Sequence, residues 1–154
     1  MARKRKLLYL LADGAHARFV EQSAETRAFI TLSRLDGSDR LETLRVEQRD
    51  EPAGRTFESA SSARHGVGRE DAYRRAKEAF AADVAATLRA MLMRHAFVGV
   101  VLVAPPRLLQ VLRDNLQGAA PIVAELGKDL TRTPDHDLGP WLSQLAFATS
   151  AQSA

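Results

Sequence analysis

The stretch LLYLLADGAHARFV, residues 7–20, decides the fold. Leu7 to Ala12 is an unbroken apolar run, the pattern of a strand buried on both faces in the middle of a sheet. Asp13-Gly14 is a turn signal, favoured because Asp bonds its own local backbone. Ala17 to Val20 then reads as a second strand folding back on the first. Working outward, Ala28 to Leu35 (AFITLSRL) is rich in β-branched and aromatic residues and stops at Asp36-Gly37-Ser38. It predicts a third strand and completes an antiparallel meander.

The pattern then changes. Residues 39–51 (DRLETLRVEQRDE) are charged and ambiguous, with Leu41, Leu44 and Val46 as their apolar anchors. Residues 52–67 (PAGRTFESASSARHGV) read as a loop rich in turn formers and hydroxyls. From Arg69 to about Ala96, apolar residues at Ala72, Ala76, Ala79, Phe80, Val84, Leu88, Met91, Leu92 and His95 mark one long helix. Phe97 to Ala104 (FVGVVLVA) is a second fully buried strand, stopped by Pro105-Pro106, whose nitrogens carry no hydrogen to donate. A helix over 107–116 follows, closed at Gln117-Gly118, and Pro121 to Leu126 is a last strand. Thr133-Pro134-Asp135 predicts an N-cap and a Pro at the first position of a final helix reaching about Leu145. Residues 148–154 are small and polar and are expected to be a disordered tail.

Strands joined by helices run parallel through right-handed crossovers. The order of elements therefore predicts an α/β fold: a single domain over residues 1–147 with one five-stranded mixed sheet of order 3-2-1-4-5. Asp13, the loop over 50–68, Pro105 to Arg107 and Lys128-Asp129 would then gather at the carboxyl edge. Open α/β sheets bind ligands at that edge, where the strand order reverses.

Composition narrows the function. There are no cysteines, which removes disulfides, thiolate metal sites and cysteine nucleophiles and fits a reducing cytoplasm. A formal charge of +3 is a mild excess, so any argument for nucleic acid must rest on where the charges sit. The RKRK cluster over residues 3–6 precedes an apolar run shorter than a signal-peptide core, and no run approaches the ~20 residues of a membrane span. No membrane insertion, metal or cofactor is expected.

Arg55, Arg64 and His65 in the loop are suited to phosphate, since guanidinium makes forked hydrogen bonds, and Ser59, Ser61 and Ser62 add neutral donors. Arg107 and Lys128 belong to the same rim. Asp13 and Asp129 invite a metal or hydrolytic reading, but Asp13 serves the turn and the intervening strand has no third carboxylate. The four histidines, His16, His65, His95 and His136, lack metal-ligand spacing, and no serine nucleophile elbow accompanies His65.

Taken together, LLADGAHARFVE, PAGRTFESASSARHGV, VLVAPPRLL and ELGKDLTRTP resemble, in order and spacing, the bacterial host-attachment proteins, over roughly residues 5–145. That family resembles the middle domain of archaeal and eukaryotic peptide-chain release factors, which implies an RNase H-like plan. In those factors the corresponding loop carries Gly-Gly-Gln and promotes peptidyl-tRNA hydrolysis on the ribosome. The loop of this chain contains no Gly-Gly-Gln. The resemblance therefore implies a cytoplasmic, non-enzymatic module docking on ribosomal or other structured RNA through residues 54–66. The alternatives are a hydrolase at the same edge, using Asp13, His65 and Asp129, and a protein-interaction factor in host attachment.

Overall fold

The computed structural model describes residues 6–37 and 59–145, apart from the side chains of residues 59–67 and 69. Strands β1 (Lys6–Ala12), β2 (His16–Gln22), β3 (Phe29–Asp36), β4 (Phe97–Val103) and β5 (Ile122–Leu126) form one mixed sheet. Its order is β3-β2-β1-β4-β5, as the connectivity predicts. Strand β1 is antiparallel to β2, which is antiparallel to β3; β1 and β4, and β4 and β5, are parallel. The apolar runs at Leu8–Ala12 and Val100–Ala104 are fully buried because they occupy the sheet interior, covered on both faces.

One face carries the helices α1 (Ser59–Arg94) and α2 (Pro106–Asn115). Ala76, Phe80, Ala81, Val84, Ala85 and Leu88 of α1 and Leu109, Leu112 and Leu116 pack there against Leu8, Leu10, Phe19, Val100 and Leu102. The alanines let the helix approach the sheet closely. The other face has a smaller cover. A 3-10 turn (Asp135–Asp137) and the short helix α3 (Gly139–Leu142) set Leu138 and Leu142, with Leu130, on Tyr9, Leu11, Val20, Phe29, Val101 and Val103.

Close packing decides one residue type. A Cβ on Gly99 of β4 would lie 2.8 Å from Val123 Cγ1 and 3.3 Å from the Pro121 carbonyl oxygen, beside the register shift between Val100 and Val101. Neither neighbour can swing away, so glycine is required by the approach of β5.

Two elements differ from their sequence expectation. Helix α1 begins at Ser59 rather than Arg69, so residues 59–66 have helical backbone and are not a loop. The preceding run of Ser, Ala, Arg, His and Gly carries no apolar stripe, which hides it from a periodicity reading. Each added residue gains a backbone hydrogen bond, so a helix already held by packing propagates through such residues. At 36 residues it is about 54 Å long. A Cβ on Gly14, just past the end of β1, would meet the Lys77 side chain at 3.4 Å. The part of α1 before Lys77, about 27 Å, therefore precedes the level at which β1 ends.

The second difference is the closing helix. Pro134 itself stands at the N-cap of the 3-10 turn and makes no side-chain cap, so Thr133 does not cap a helix. Pro140 has no N–H with which to continue the turn, and the segment splits into the 3-10 turn and the four residues of α3. The Asp135 carboxylate is thereby left for tertiary contacts.

Candidate functional site at the carboxyl edge of the sheet

The hairpin after β1 builds the first part of the site. Asp13 Oδ1 accepts from the backbone N–H groups of Ala15 at 2.7 Å and His16 at 2.6 Å, which closes the turn. His16 Nδ1 lies 3.2 Å from both Asp13 oxygens. Its Nε2 is 3.7 Å from Asp36 Oδ1 at the end of β3. The Thr131 hydroxyl is 2.6 Å from Asp129 Oδ1 and 3.2 Å from Asp13 Oδ2. One hydroxyl proton serves one carboxylate at a time, and the shorter contact is to Asp129.

The structure thus joins Asp13 and Asp129 as the topology predicts, through a threonine lying between them. Burial pushes the Asp13 carboxyl up, but the Ala15 and His16 amides and the His16 ring outweigh it and hold the group below the usual carboxylate range. Asp13 is an ionised acceptor surrounded by donors, which is the environment of a positioning group. Among the described residues no three His, Asp or Glu side chains converge as a metal site.

The second part is Arg18 on β2, 3% exposed. Its Nη1 donates to the carbonyls of Leu130, at 3.1 Å, of Thr131, at 3.2 Å, and of Thr133. Nη2 donates to Asp135 Oδ1 at 2.5 Å and Thr31 Oγ1 at 3.2 Å. Asp135 also accepts from the Thr31 hydroxyl at 2.6 Å and backbone N–H at 3.1 Å. Burial raises the Asp135 carboxyl, and the Thr31 and Arg18 donors together bring it below its ordinary value. A buried charge is tolerated when it is paired and hydrogen-bonded, and here the guanidinium ties β2, β3 and the 130–135 segment together.

These contacts leave an open cleft of about 350 Å³ over the ends of β2 and β3, lined among others by His16, Arg18, Arg34, Asp36, Arg132 and Pro134. Arg34 and Arg132 are exposed, and among the described residues neither makes an ion pair. The nearby carboxylates of Asp13, Asp129 and Asp135 are occupied internally. The cleft therefore presents cations to solvent, with the exposed Asp36 as an acidic group at its rim.

The other predicted rim residues fall into two groups. A Cβ on Gly127 would touch Pro106 at 3.2 Å, so the turn bearing Arg107 adjoins the turn bearing Lys128. Lys128 Nζ sits 4.2 Å from the centroid of the Trp141 ring, a cation–π contact, and Arg107 is exposed. Arg55 lies outside the described residues, as does the whole 39–58 stretch read from sequence. Ser59, Ser61, Ser62, Arg64 and His65 lie on the first turns of α1, and the expectation that a loop presents them is corrected accordingly.

Sequence reasoning missed Arg18, Arg34, Thr131, Arg132 and Asp135. Arg18 had a signal, a lone charge inside the apolar strand AHARFV, which demands a buried partner. Nothing local marks Asp135, whose partners on β2 and β3 are more than a hundred residues away, or the contact of Thr131 with Asp13 in the turn after β1.

The depressed carboxyls give a pH dependence. Asp13 and Asp135 each add stability that is fully present above the unfolded value of about 3.9 and is lost as pH falls through the lower folded value. Thermal melts from pH 7 to pH 2 should show the wild type losing stability below about pH 4. An Asp13→Asn/Asp135→Asn protein should start lower at pH 7 and decline less. Parallel curves would assign the acid sensitivity to other groups.

None of the described helices is long and apolar enough to cross a membrane. No curated protein matches the chain. The family model described as "Protein required for attachment to host cells" matches residues 8–142, from the first residue of the buried β1 run to the last residue of α3. The matched span contains nearly all of β1, every other strand, every described helix and the basic cleft, and on that ground the chain belongs to the host-attachment protein family.

Proposed function

We propose that this family member is a non-enzymatic docking domain that engages structured RNA, ribosomal RNA being the leading case, in the cytoplasm. The observation that carries the reading is the cleft at the carboxyl edge. There Arg34 and Arg132 face solvent without a described carboxylate partner, while Asp13, Asp129 and Asp135 are consumed by internal donors. Phosphate oxygens complete such a surface, because guanidinium groups bind them through paired, charge-assisted hydrogen bonds. Arg107 and Lys128 extend the positive rim, Arg64 and His65 lie on the first turns of α1, and Arg55 precedes them in the sequence. The resemblance of this family's order of strands and helices to a release-factor middle domain supports RNA over other polyanions. The absence of Gly-Gly-Gln and the donor-saturated state of Asp13 support docking over hydrolysis. Attachment to host cells is the property under which the family is described, and RNA docking is the molecular action assigned here to this member.

The test is anisotropy of a labelled ribosomal RNA hairpin against salt. Removing one phosphate-binding side chain lowers the slope of log K against log salt by about 1, so Arg34→Ala/Arg132→Ala should lower it by about 2. Affinity should fall at least tenfold at low salt. Equal slopes for the two proteins, or no RNA binding by the wild type, would remove the cleft from this role.

A further inference from the structure

The opposite end of the sheet holds a second cleft, of about 380 Å³, lined among others by Lys6, Leu7, Tyr9, Gln22, Ser23 and Arg27. It exists because the cover on this face is short. The 3-10 turn and α3 bury Leu138 and Leu142 against the sheet, while the amino end of β1 and the β2–β3 hairpin contribute residues to an open depression. Its size is that of an ordinary small-molecule site.

The hairpin over the cleft makes an unusual choice. Ser23 N–H donates to the Ala28 carbonyl at 2.8 Å, and Arg27 N–H donates to the Ser23 carbonyl at 2.9 Å, which closes a four-residue loop. Such a loop ends in the left-handed conformation, where Gly or Asn is preferred. Here Arg27 takes it, with φ of 61°, and it is the one non-glycine residue with positive φ among the described residues. The Gln22 amide donates to the Arg27 carbonyl at 3.0 Å and fixes the peptide. A long cation is therefore held, against its backbone preference, at the mouth of a cleft. Strain of this kind gathers at binding sites.

The lining describes the ligand. Lys6 is half exposed and only loosely paired with Glu21, at 3.9 Å. Arg27 has no ion pair among the described residues. Two cations thus border the cleft, while Leu7 supplies apolar surface and the buried Tyr9 ring, set edge-on to Phe29 with centroids 5.2 Å apart, backs it from beneath. We infer that this amino-edge cleft binds a small organic anion, a phosphate or carboxylate on a flat apolar body, with Arg27 and Lys6 on the anionic head and Leu7, backed by Tyr9, against the body. The site stands apart from the basic cleft at the carboxyl edge and does not depend on the RNA reading.

Phenyl phosphate, phenylacetate and inorganic phosphate serve as probes, with thermal melts and NMR titration as readouts. Phenyl phosphate or phenylacetate should produce saturable shifts at Tyr9 and Arg27, and the better of the two tells which head group is preferred. Inorganic phosphate should bind at least tenfold more weakly. Arg27→Gly relieves the left-handed strain, so its unliganded melting temperature should rise by about 2–4 °C while probe affinity drops at least tenfold. Lys6→Ala should weaken binding without raising the melting temperature, and Arg34→Ala/Arg132→Ala should leave it unchanged. The inference is overturned if neither organic anion saturates the wild type. It is equally overturned if Arg27→Gly binds them as tightly as the wild type, which would make Arg27 a tolerated turn residue.

Discussion

Arg18→Met should destabilise the protein by about 3–5 kcal/mol, the range for removing one partner from a buried, hydrogen-bonded charge pair. Methionine fills much of the same space, so the loss comes from polar groups left behind. The carbonyls of Leu130, Thr131 and Thr133 lose their donor, and Asp135 loses its cation. With an entropy of unfolding typical of this chain length, the melting temperature should fall by roughly 6–20 °C. Arg18→Lys should recover only part of it, because one ammonium cannot reproduce the two-sided fork that reaches the carbonyls with Nη1 and the Asp135–Thr31 pair with Nη2. The deficit should shrink as pH falls, since protonation of Asp135 removes the ion pair from the wild type as well. A deficit under about 1 kcal/mol at pH 7 would mean that the 130–135 segment is held by its apolar contacts through Leu130 and Leu138.

Phe19→Ala, at the next residue of the same strand, should cost about as much for the opposite reason. Phe19 is fully buried on the face of β2 turned to α1 and α2, in the cluster with Leu8, Leu10, Phe80 and Leu88. Truncating it removes transfer free energy and leaves a cavity that the helices can only partly fill, together about 3–5 kcal/mol. Nothing in this loss titrates. It should therefore be nearly constant between pH 7 and pH 4, whereas the Arg18→Met deficit should not. Phe19→Leu should recover more than half. Chemical denaturation of both single variants and the double variant would also measure their coupling. Opposite faces of one strand share no partners, so the two costs should add to within about 0.5 kcal/mol.

The contrast between these neighbours shows what could be read from residue patterns. Phe19 belongs to a local signal: alternation and apolar runs mark which residues need burial, and β1 and β4 stand out because burial on both faces leaves no polar position. Strand order followed from the same signal together with the handedness of crossovers. Arg18 sits within that pattern as an exception, and the pattern alone names no partner for it. The boundaries of α1 failed for a related reason. Its first turns carry no apolar stripe, so only the helix as propagated from its packed half shows where it begins.

The site was half legible. Asp13 and Asp129 could be placed at one edge because each follows a strand whose direction was deducible. Thr131 as the group between them, Asp135 as the partner of Thr31 and Arg18, and the pairing of Arg34 with Arg132 across a cleft needed the tertiary structure. The Thr133-Pro134-Asp135 signal misleads for the same reason: read locally, Asp135 belongs to a helix start, yet its carboxylate is taken by β2 and β3.

By itself, then, the sequence determined the α/β class, the five strands, their order and the edge at which polar groups collect, because these depend on hydrophobic period and chain direction, which are local properties. Only the tertiary structure decided which carboxylates are consumed internally and which arginines remain facing solvent, because charge compensation is settled between residues brought within hydrogen-bonding distance from opposite ends of the chain.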